Sequence, residues 1–481
     1  MRIVMKFGGT GIDSCRNLAN LTDVVSKYKR DNRYEIVTVV SAVRGVTDSI
    51  LELTSAINTH RRIFIQDFLE KLRSNHLEIV DGCIHNKELE NLAINSITGI
   101  LNELKDVLGG LIILREVTPK SLDYLLSFGE RLSASMLSYA LRDRGEMTEC
   151  LTGKEVGIVT DSNFGAAKPL MDTTKLRVRH RIEPLLEQKN IPVITGFIAS
   201  DQNGNVTTLG RGGSDYTATI IAASINADET WLWTDVDGLM TADPRIVKDA
   251  RVLSEVSFSE AMEMALFGAK YMHPLTLEPV IETGIPIRIR NIKDLSKFGT
   301  MILQNPDDRS KRIVKSVSAI RQTGLIDVGG TAMAGAPGTA AKIFDALAKR
   351  DINIIMISQS PSESSISMVL RKNDIEKAVS ILELSLLGRI IKKVEVNSNV
   401  SVIAVVGSGM RGIQGVAARI FGAVAREKVN VIMIAQGSSQ LNLAFVVSDD
   451  DCETAIQALH KEFQLGQHDP EIHRKNYLTK E

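Results

Sequence analysis

The chain has 481 residues, 44% hydrophobic and 24% charged, and its 57 Lys and Arg against 58 Asp and Glu leave a net charge of −1. That length divides into roughly two to four domains with cores of their own, and the charge balance excludes a general attraction to nucleic acid or to an anionic membrane. The longest apolar runs, such as "SVIAVV" at 401–406, fall far short of a membrane span. The N-terminus lacks the long apolar stretch and cleavage site of a signal peptide. Cys15, Cys83, Cys150 and Cys452 are scattered without CxxC spacing and read as lone thiols of a reducing compartment. A cytoplasmic protein without a metal-ligating cluster is expected.

In chain order, "RIVMKF", "EIVTVVSA", "IPVITGFIA", "ETWLWTDV" and "IPIRIRN" are apolar runs of buried strands. Between them, "NLANLTDVVSKYK", "SAINTHRRIFIQDFLEKLRSNHLEIV" and "DYTATIIAASI" carry helical patterns, and residues 50–140 are expected to be mostly helical beside the sheet. The alternation predicts an α/β unit with a largely parallel sheet sandwiched by helices. The polar stretch "NPDDRSKR" at 305–312 marks a boundary. We place a first unit over 1–305 and two further modules over 313–395 and 396–481, with interleaving of the two modules allowed.

Beyond the boundary the chain repeats. "GTAAKIFDALAKRDINIIMISQSPS" at 338–362 aligns without a gap with "GVAARIFGAVAREKVNVIMIAQGSS" at 415–439, and Gln436 minus Gln359 gives an offset of 77. The same offset pairs Gly330 with Gly407 and Met333 with Met410. Each unit reads as strand, glycine-rich turn, helix, strand, strand, helix, a ferredoxin-like βαββαβ module of α+β type.

Four stretches carry chemistry. Lys6-Phe7-Gly8-Gly9-Thr10 follows a strand; its glycines allow a tight turn with amides aimed at an anion, and the lysine adds a mobile charge. It is not a P-loop. "GRGGSD" at 210–215 opens a helix that Ser214 and Asp215 are placed to cap, and its free amides form an anion site. Capping does not explain Arg211, which can grip a carboxylate or phosphate with two hydrogen bonds. "WTDVDGLMTADPR" at 233–245 puts Asp235, Asp237 and Asp243 after a strand end, where open α/β sheets bind ligands, and it is not a calcium loop. "FGAKYMHP" at 267–274 places Lys270 near a helix end. Lys6, Arg211 and Lys270 are expected to converge on a transferring phosphate, because phosphoryl transfer needs positioning and charge neutralisation above all. A carboxylate acceptor is already ionised and needs no general base.

With "VSAVRGVTD" at 40–48, "SFGERLSA" at 127–134 and "TGFIAS" at 195–200, these stretches form an ordered set that resembles the aspartate kinases of the amino-acid kinase superfamily along essentially the whole chain. The resemblance implies the amino-acid kinase fold and transfer of the ATP γ-phosphoryl group to the side-chain carboxylate of L-aspartate, the first step towards lysine, methionine and threonine. It implies that Lys6, Phe7, Gly8 and Gly9 hold the phosphates and that Asp215 orients Lys6. It implies that Arg211, Gly212, Gly213 and Ser214 place the substrate, that Glu130 takes its ammonium, and that Thr47 and Phe197 line its pocket. Thr234, Asp235, Met240, Arg245 and Lys270 would serve ATP, with Mg²⁺ bridging its phosphates. Gly11 stands where the family usually has Ser, and Met240 where Tyr is common, so a hydroxyl near the phosphates is lost and the nucleoside packing differs.

The repeated modules resemble the family's paired ACT modules, which bind amino-acid effectors and join chains. "MISQSPSESSIS" and "MIAQGSS" resemble the threonine-sensitive branch, so threonine is favoured over lysine, with Gln359 and Gln436 as effector contacts. A homodimer or dimer of dimers through these modules is expected. The chain stops at Glu481, so a monofunctional kinase without an appended homoserine dehydrogenase is expected. The alternatives are a superfamily kinase acting on glutamate, acetylglutamate, carbamate or UMP, and an amino-acid-binding regulator that no longer turns over.

Overall fold

A computed structural model describes residues 1–31, 34–58, 65–268, 272–306, 312–330, 333, 336–362, 364–388 and 390–467. The first half carries strands β1 (Arg2–Phe7), β2 (Glu35–Val40), β3 (Thr148–Leu151), β4 (Val159–Thr160), β5 (Ile191–Thr195), β6 (Ile198–Asp201), β7 (Val206–Thr208), β8 (Glu229–Thr234), β9 (Glu255–Ser257), β10 (Ile287–Asn291) and β11 (Thr300–Leu303). Its helices are α1 (Cys15–Asp31), α2 (Val46–Asn58), α3 (Ile65–Cys83), α4 (Lys87–Leu114), α5 (Pro119–Asp143), α6 (Gly153–Val156), α7 (Met171–Glu187), α8 (Gly213–Ile225), α9 (Phe258–Leu266) and α10 (Glu278–Ile281).

Eight strands form one sheet in the order β3-β5-β2-β1-β8-β10-β11-β9. It is parallel from β3 to β10, and β11 joins β10 antiparallel. A strand buried on both faces reads as a continuous apolar run, and β1 shows why. Ile3, Met5 and Phe7 pack with α1 to α5 on one face, while Val4 packs with α7 and α8 on the other. The expected helical elaboration therefore forms one layer. The run expected as a single helix from Ser55 is described as two, α2 and α3, with residues 59–64 outside the described ones. Local chemistry sets the helix starts. Asn86 caps α4 by accepting from the Glu88 and Leu89 amides, and Thr118 caps α5 ahead of Pro119.

The second half carries β12 (Ser316–Gly329), α11 (Thr339–Ala348), β13 (Ile354–Gln359), β14 (Ser365–Arg371), α12 (Ile375–Leu386), β15 (Lys393–Val406), α13 (Val416–Arg426), β16 (Met433–Ala435), β17 (Asn442–Ser448) and α14 (Cys452–Glu462). All six strands join one sheet, β13-β14-β12-β15-β17-β16. β12 and β15 are 14 residues each and serve both repeats. From Thr323 onward β12 pairs with β14 and with the start of β15, completing β-α-β-β-α-β for the first repeat. Its first half, Ser316–Ile320, pairs with the end of β15, which leads to β17 and β16. An irregular register between the halves, with Gln322 at φ 55, marks the handover. The edge strands β13 and β16 approach each other over Met356, Val369, Val402, Met433 and Val446. Among the described residues no helix is long and apolar enough to cross a membrane.

Candidate active site

A cleft of about 300 Å³ opens at the carboxyl ends of β1 and β2, the crevice where such sheets bind ligands. Lys6 is held there by register, opposite Val39 of β2 and Leu232 of β8. Its ammonium pairs with the Asp215 carboxylate at 2.6 Å, with both side chains mostly buried. The chain then turns at Gly8 and Gly9. A Cβ on Gly9 would sit 2.4 Å from the Ala42 carbonyl oxygen, so only glycine lets these two backbones meet. A Cβ on Gly11 would face the Ile292 side chain at 3.1 Å, so a larger residue there would press on a core side chain.

The opposite wall comes from the start of α8. Ser214 and Asp215 do not cap this helix as expected. Its N-cap is Gly212, at φ 74 and without a side-chain cap bond, and both residues lie inside the first turn. Asp215 is engaged with Lys6 instead, because an ion pair in a half-buried cleft outcompetes a cap bond for its oxygens. Arg211, Gly212, Gly213 and Ser214 line the cleft as expected residues. Phe197 lines it in the left-handed region at φ 67, held by the Thr217 hydroxyl accepting from its amide at 2.9 Å. An aromatic residue in that region is strained, and such strain collects at functional sites.

Glu130, on α5, faces the same cleft and is 4% exposed, and its Oε2 has no hydrogen-bond partner. Burial pushes its carboxyl up to about 8, against the Ala42 amide, its own backbone and the Lys6 charge. A buried acid left half-satisfied, in a cleft that an exposed arginine also lines, is a group whose charge a cationic ligand could satisfy. Thr47 completes this wall, together with Ser41, Ala42 and Gly210, which sequence reasoning did not single out. Their signal was present, since Ser41 and Ala42 follow directly on β2.

Of the other expected nucleotide residues, Thr234 lies nearest the glycine turn in the sheet. Thr234 ends β8 next to the glycine turn, where the Gly8 amide donates to the Trp233 carbonyl at 3.3 Å. Asp235 is exposed, and Asp237 is occupied by Asn291 and Lys297, each at 2.6 Å. Arg245 bonds Asp243 through Nε at 3.0 Å. Met240 bridges Val252, and its carbonyl accepts from the Ser316 hydroxyl of the six-stranded sheet at 3.1 Å. Lys270 lies outside the described residues. Gln359 and Gln436 are exposed, at the end of β13 and just after β16, far along the chain from this cleft. Among the described residues no cluster of acidic, histidine or cysteine side chains is gathered to hold a metal ion.

A cation paired with a carboxylate, two glycine turns and a buried acid thus lie together at the carboxyl end of a parallel sheet. The amino acid kinase family model matches residues 1–291, and the ACT domain model matches 326–386 and 403–463. The chain is 36% identical over 476 residues to bifunctional aspartokinase/homoserine dehydrogenase 1 of Zea mays, covering 96% of this chain and 50% of that protein. It is 31% identical over 468 residues to aspartokinase 1 of Arabidopsis thaliana, covering 96% of this chain and 80% of that protein. E. coli aspartokinase III in complex with aspartate and ADP (R-state) superposes with a TM-score of 0.82 at 28% identity, covering 96% of this chain and 99% of that one. The same enzyme with lysine and aspartate (T-state) gives 0.78 over 96% of this chain and 99% of that one, again at 28% identity. The chain belongs to the amino acid kinase family, in its aspartokinase branch with paired ACT domains. It spans about half the length of the bifunctional relatives it matches.

Proposed function

We propose that the protein is an aspartate kinase, transferring the γ-phosphoryl group of ATP, supplied as its Mg²⁺ complex, to the side-chain carboxylate of L-aspartate. A side-chain oxygen of aspartate forms the new P–O bond as the bond to ADP breaks, and no proton moves. The observation that carries this reading is Glu130, buried and half-satisfied in the cleft that also holds Arg211 and Lys6. A dicarboxylic amino acid needs one anion for its ammonium and cations for its carboxylates. Lys6 would neutralise the charge growing on the transferring group, oriented by Asp215, while the turn at Gly8 and Gly9 would let the phosphates approach the backbone closely. Arg211 with Gly212, Gly213 and Ser214 would hold aspartate, and Thr47 and Phe197 would shape its pocket. Thr234, Asp235, Met240, Arg245 and Lys270 would serve ATP. E. coli aspartokinase III, which binds aspartate and ADP, supports this reading. The product would enter the synthesis of lysine, methionine and threonine in the cytoplasm. ADP release by the purified protein with ATP, Mg²⁺ and L-aspartate tests the reading; turnover only with another acid overturns the substrate.

Glu130 makes the reaction pH-dependent. Its acid keeps a proton up to about pH 8 in the free cleft, yet the substrate ammonium needs it ionised. The aspartate KM should therefore fall as pH rises towards about 8, by up to about tenfold per unit well below that value. Glu130→Gln should raise KM and flatten that slope. An unchanged slope in kinetics across this range would remove Glu130 from ammonium binding. The same raised acid stabilises the fold at low pH, and that contribution is lost between its ordinary 4.5 and about 8.

The units over 313–395 and 396–481 would act as effector modules that pair chains into dimers or dimers of dimers, with the kinase unit over 1–305. Threonine is the favoured effector, through Gln359 and Gln436; E. coli aspartokinase III binds lysine, so both amino acids belong in the test. An effector acts only by binding two states unequally. Gln359→Ala should blunt threonine inhibition by about tenfold in half-inhibitory concentration while sparing uninhibited turnover. Unaltered inhibition curves would dismiss Gln359.

A further inference from the structure

A second ionic cluster is buried where the catalytic unit meets the regulatory sheet. Glu260 closes a capping box at the start of α9, with Ser257 donating to its Oε2 from N at 2.9 Å and from Oγ at 3.1 Å. Such a glutamate needs only its own helix end, yet Glu260 is 0% exposed. Its remaining capacity is filled from the regulatory side. Lys315 Nζ donates to Oε2 at 3.1 Å, and Ser408 donates to Oε1 from N at 2.9 Å and from Oγ at 2.7 Å. Lys315 is itself 4% exposed. Burial pushes the Glu260 carboxyl up, but the Lys315 charge and the bonds from Ser257 and Ser408 outweigh it and hold the group below the ordinary range.

The two repeats use their glycine turns differently. A Cβ on Gly407 would lie 2.4 Å from the Ile313 carbonyl oxygen, and one on Gly409 2.4 Å from that of Arg312, so the second turn is pressed onto the segment that carries Lys315. Gly330, the match of Gly407, abuts Ile391 and Lys392 instead. Only the second turn reaches α9 in this way among the described residues.

On its other side α9 leads to the cleft. It packs against the turn Pro274–Thr276, which packs on α8. His273 caps that turn, accepting from the Leu275 amide at 3.4 Å, and a Cβ on Gly212 would sit 2.4 Å from the His273 Cβ. Gly212 adjoins Arg211.

Resting on the aspartate kinase reading, we propose that Glu260 is a positioning residue: its buried junction with Lys315 and Ser408 locks α9 to the regulatory sheet and so holds the His273–Gly212 contact that sets the aspartate clamp. Removing one member of a buried pair strands the other charge, so the test variant is Glu260→Gln with Lys315→Met. Its aspartate KM should rise about tenfold, with kcat at saturating aspartate and the ATP KM within about twofold of the parent. Lys315→Arg, which keeps the charge, should stay near the parent. Ser408→Ala, which leaves the ion pair intact, should raise KM about threefold and serves if the double variant does not fold. A lower active fraction at unchanged KM would mark the junction as structural only and overturn the proposal. Peptide-resolved hydrogen exchange reads the junction without a substrate. Exchange should quicken over 208–216 and 258–268 and stay unchanged over β1 and β2. Unchanged exchange at 208–216 overturns the junction whatever the enzyme acts on. A parent protein without aspartate-dependent turnover, but with the expected exchange change, overturns the kinase reading and upholds the junction.

Discussion

Replacing Lys6 with alanine should lower kcat by about 10²–10³-fold, the scale seen when one preorganised charge-stabilising donor is removed. The aspartate KM should change far less, because in the proposed mechanism Lys6 faces the transferring phosphate and Arg211 grips the substrate. Lys6 is set by β1 register and by Asp215 at 2.6 Å, so in the proposed mechanism its charge would be in place before ATP binds and would cost no reorganisation at the moment of transfer. Steady-state ADP release over a grid of both substrates separates the two constants. Lys6→Met, which keeps the bulk, should fail equally, and normal turnover in either variant would take Lys6 out of the mechanism.

The second large effect falls on Arg211. Arg211→Ala should raise the aspartate KM by roughly 10- to 100-fold, since a charge-assisted bond contributes about 1.5–3 kcal/mol and each 1.4 kcal/mol is about tenfold. Arg211→Lys should recover only part of this, because an ammonium cannot meet a carboxylate with two parallel bonds. Calorimetric titration of aspartate checks the same loss without turnover. An Arg211→Ala variant with the parent affinity would shift the substrate clamp to the α8 amides alone. These two variants also separate the roles of the two cations, because one should move kcat and the other KM.

The sheet was legible wherever both faces are covered. "RIVMKF" and "EIVTVVSA" announce β1 and β2 because apolar residues on successive positions have two cores to enter. β9 and β11, at 3 and 4 residues, are too short to impose a pattern and were not anticipated. Lys6 and Arg211 were legible as cations beside glycine turns, whereas Glu130 and the pairing of Asp215 with Lys6 were anticipated only through the resemblance to aspartate kinases. What escaped is what depends on folded geometry. Gly212 takes the cap of α8 through a left-handed backbone, which a Ser-Asp pair in the sequence obscures. Phe197 at φ 67 leaves no trace in composition. Glu260 meets Lys315 and Ser408 across 55 and 148 positions of chain, and no local pattern joins them.

The shared strands β12 and β15 order events during synthesis. Residues 323–329 can close with β13, β14 and the start of β15 once the ribosome has delivered the chain to about 400. The preceding stretch, Ser316–Ile320, must wait for 402–406, so the first part of β12 finds its neighbour after the rest of that strand. Its partner strand in turn needs β17 beyond it, which raises the sequence separation of the contacts that complete the second repeat and slows its closure. Neither repeat can therefore be excised at a residue between them without leaving the other with an open sheet edge, a ready template for pairing with a second chain. The duplication has become a single folding unit, and its history as two copies survives in the sequence but no longer in the way the chain can be divided.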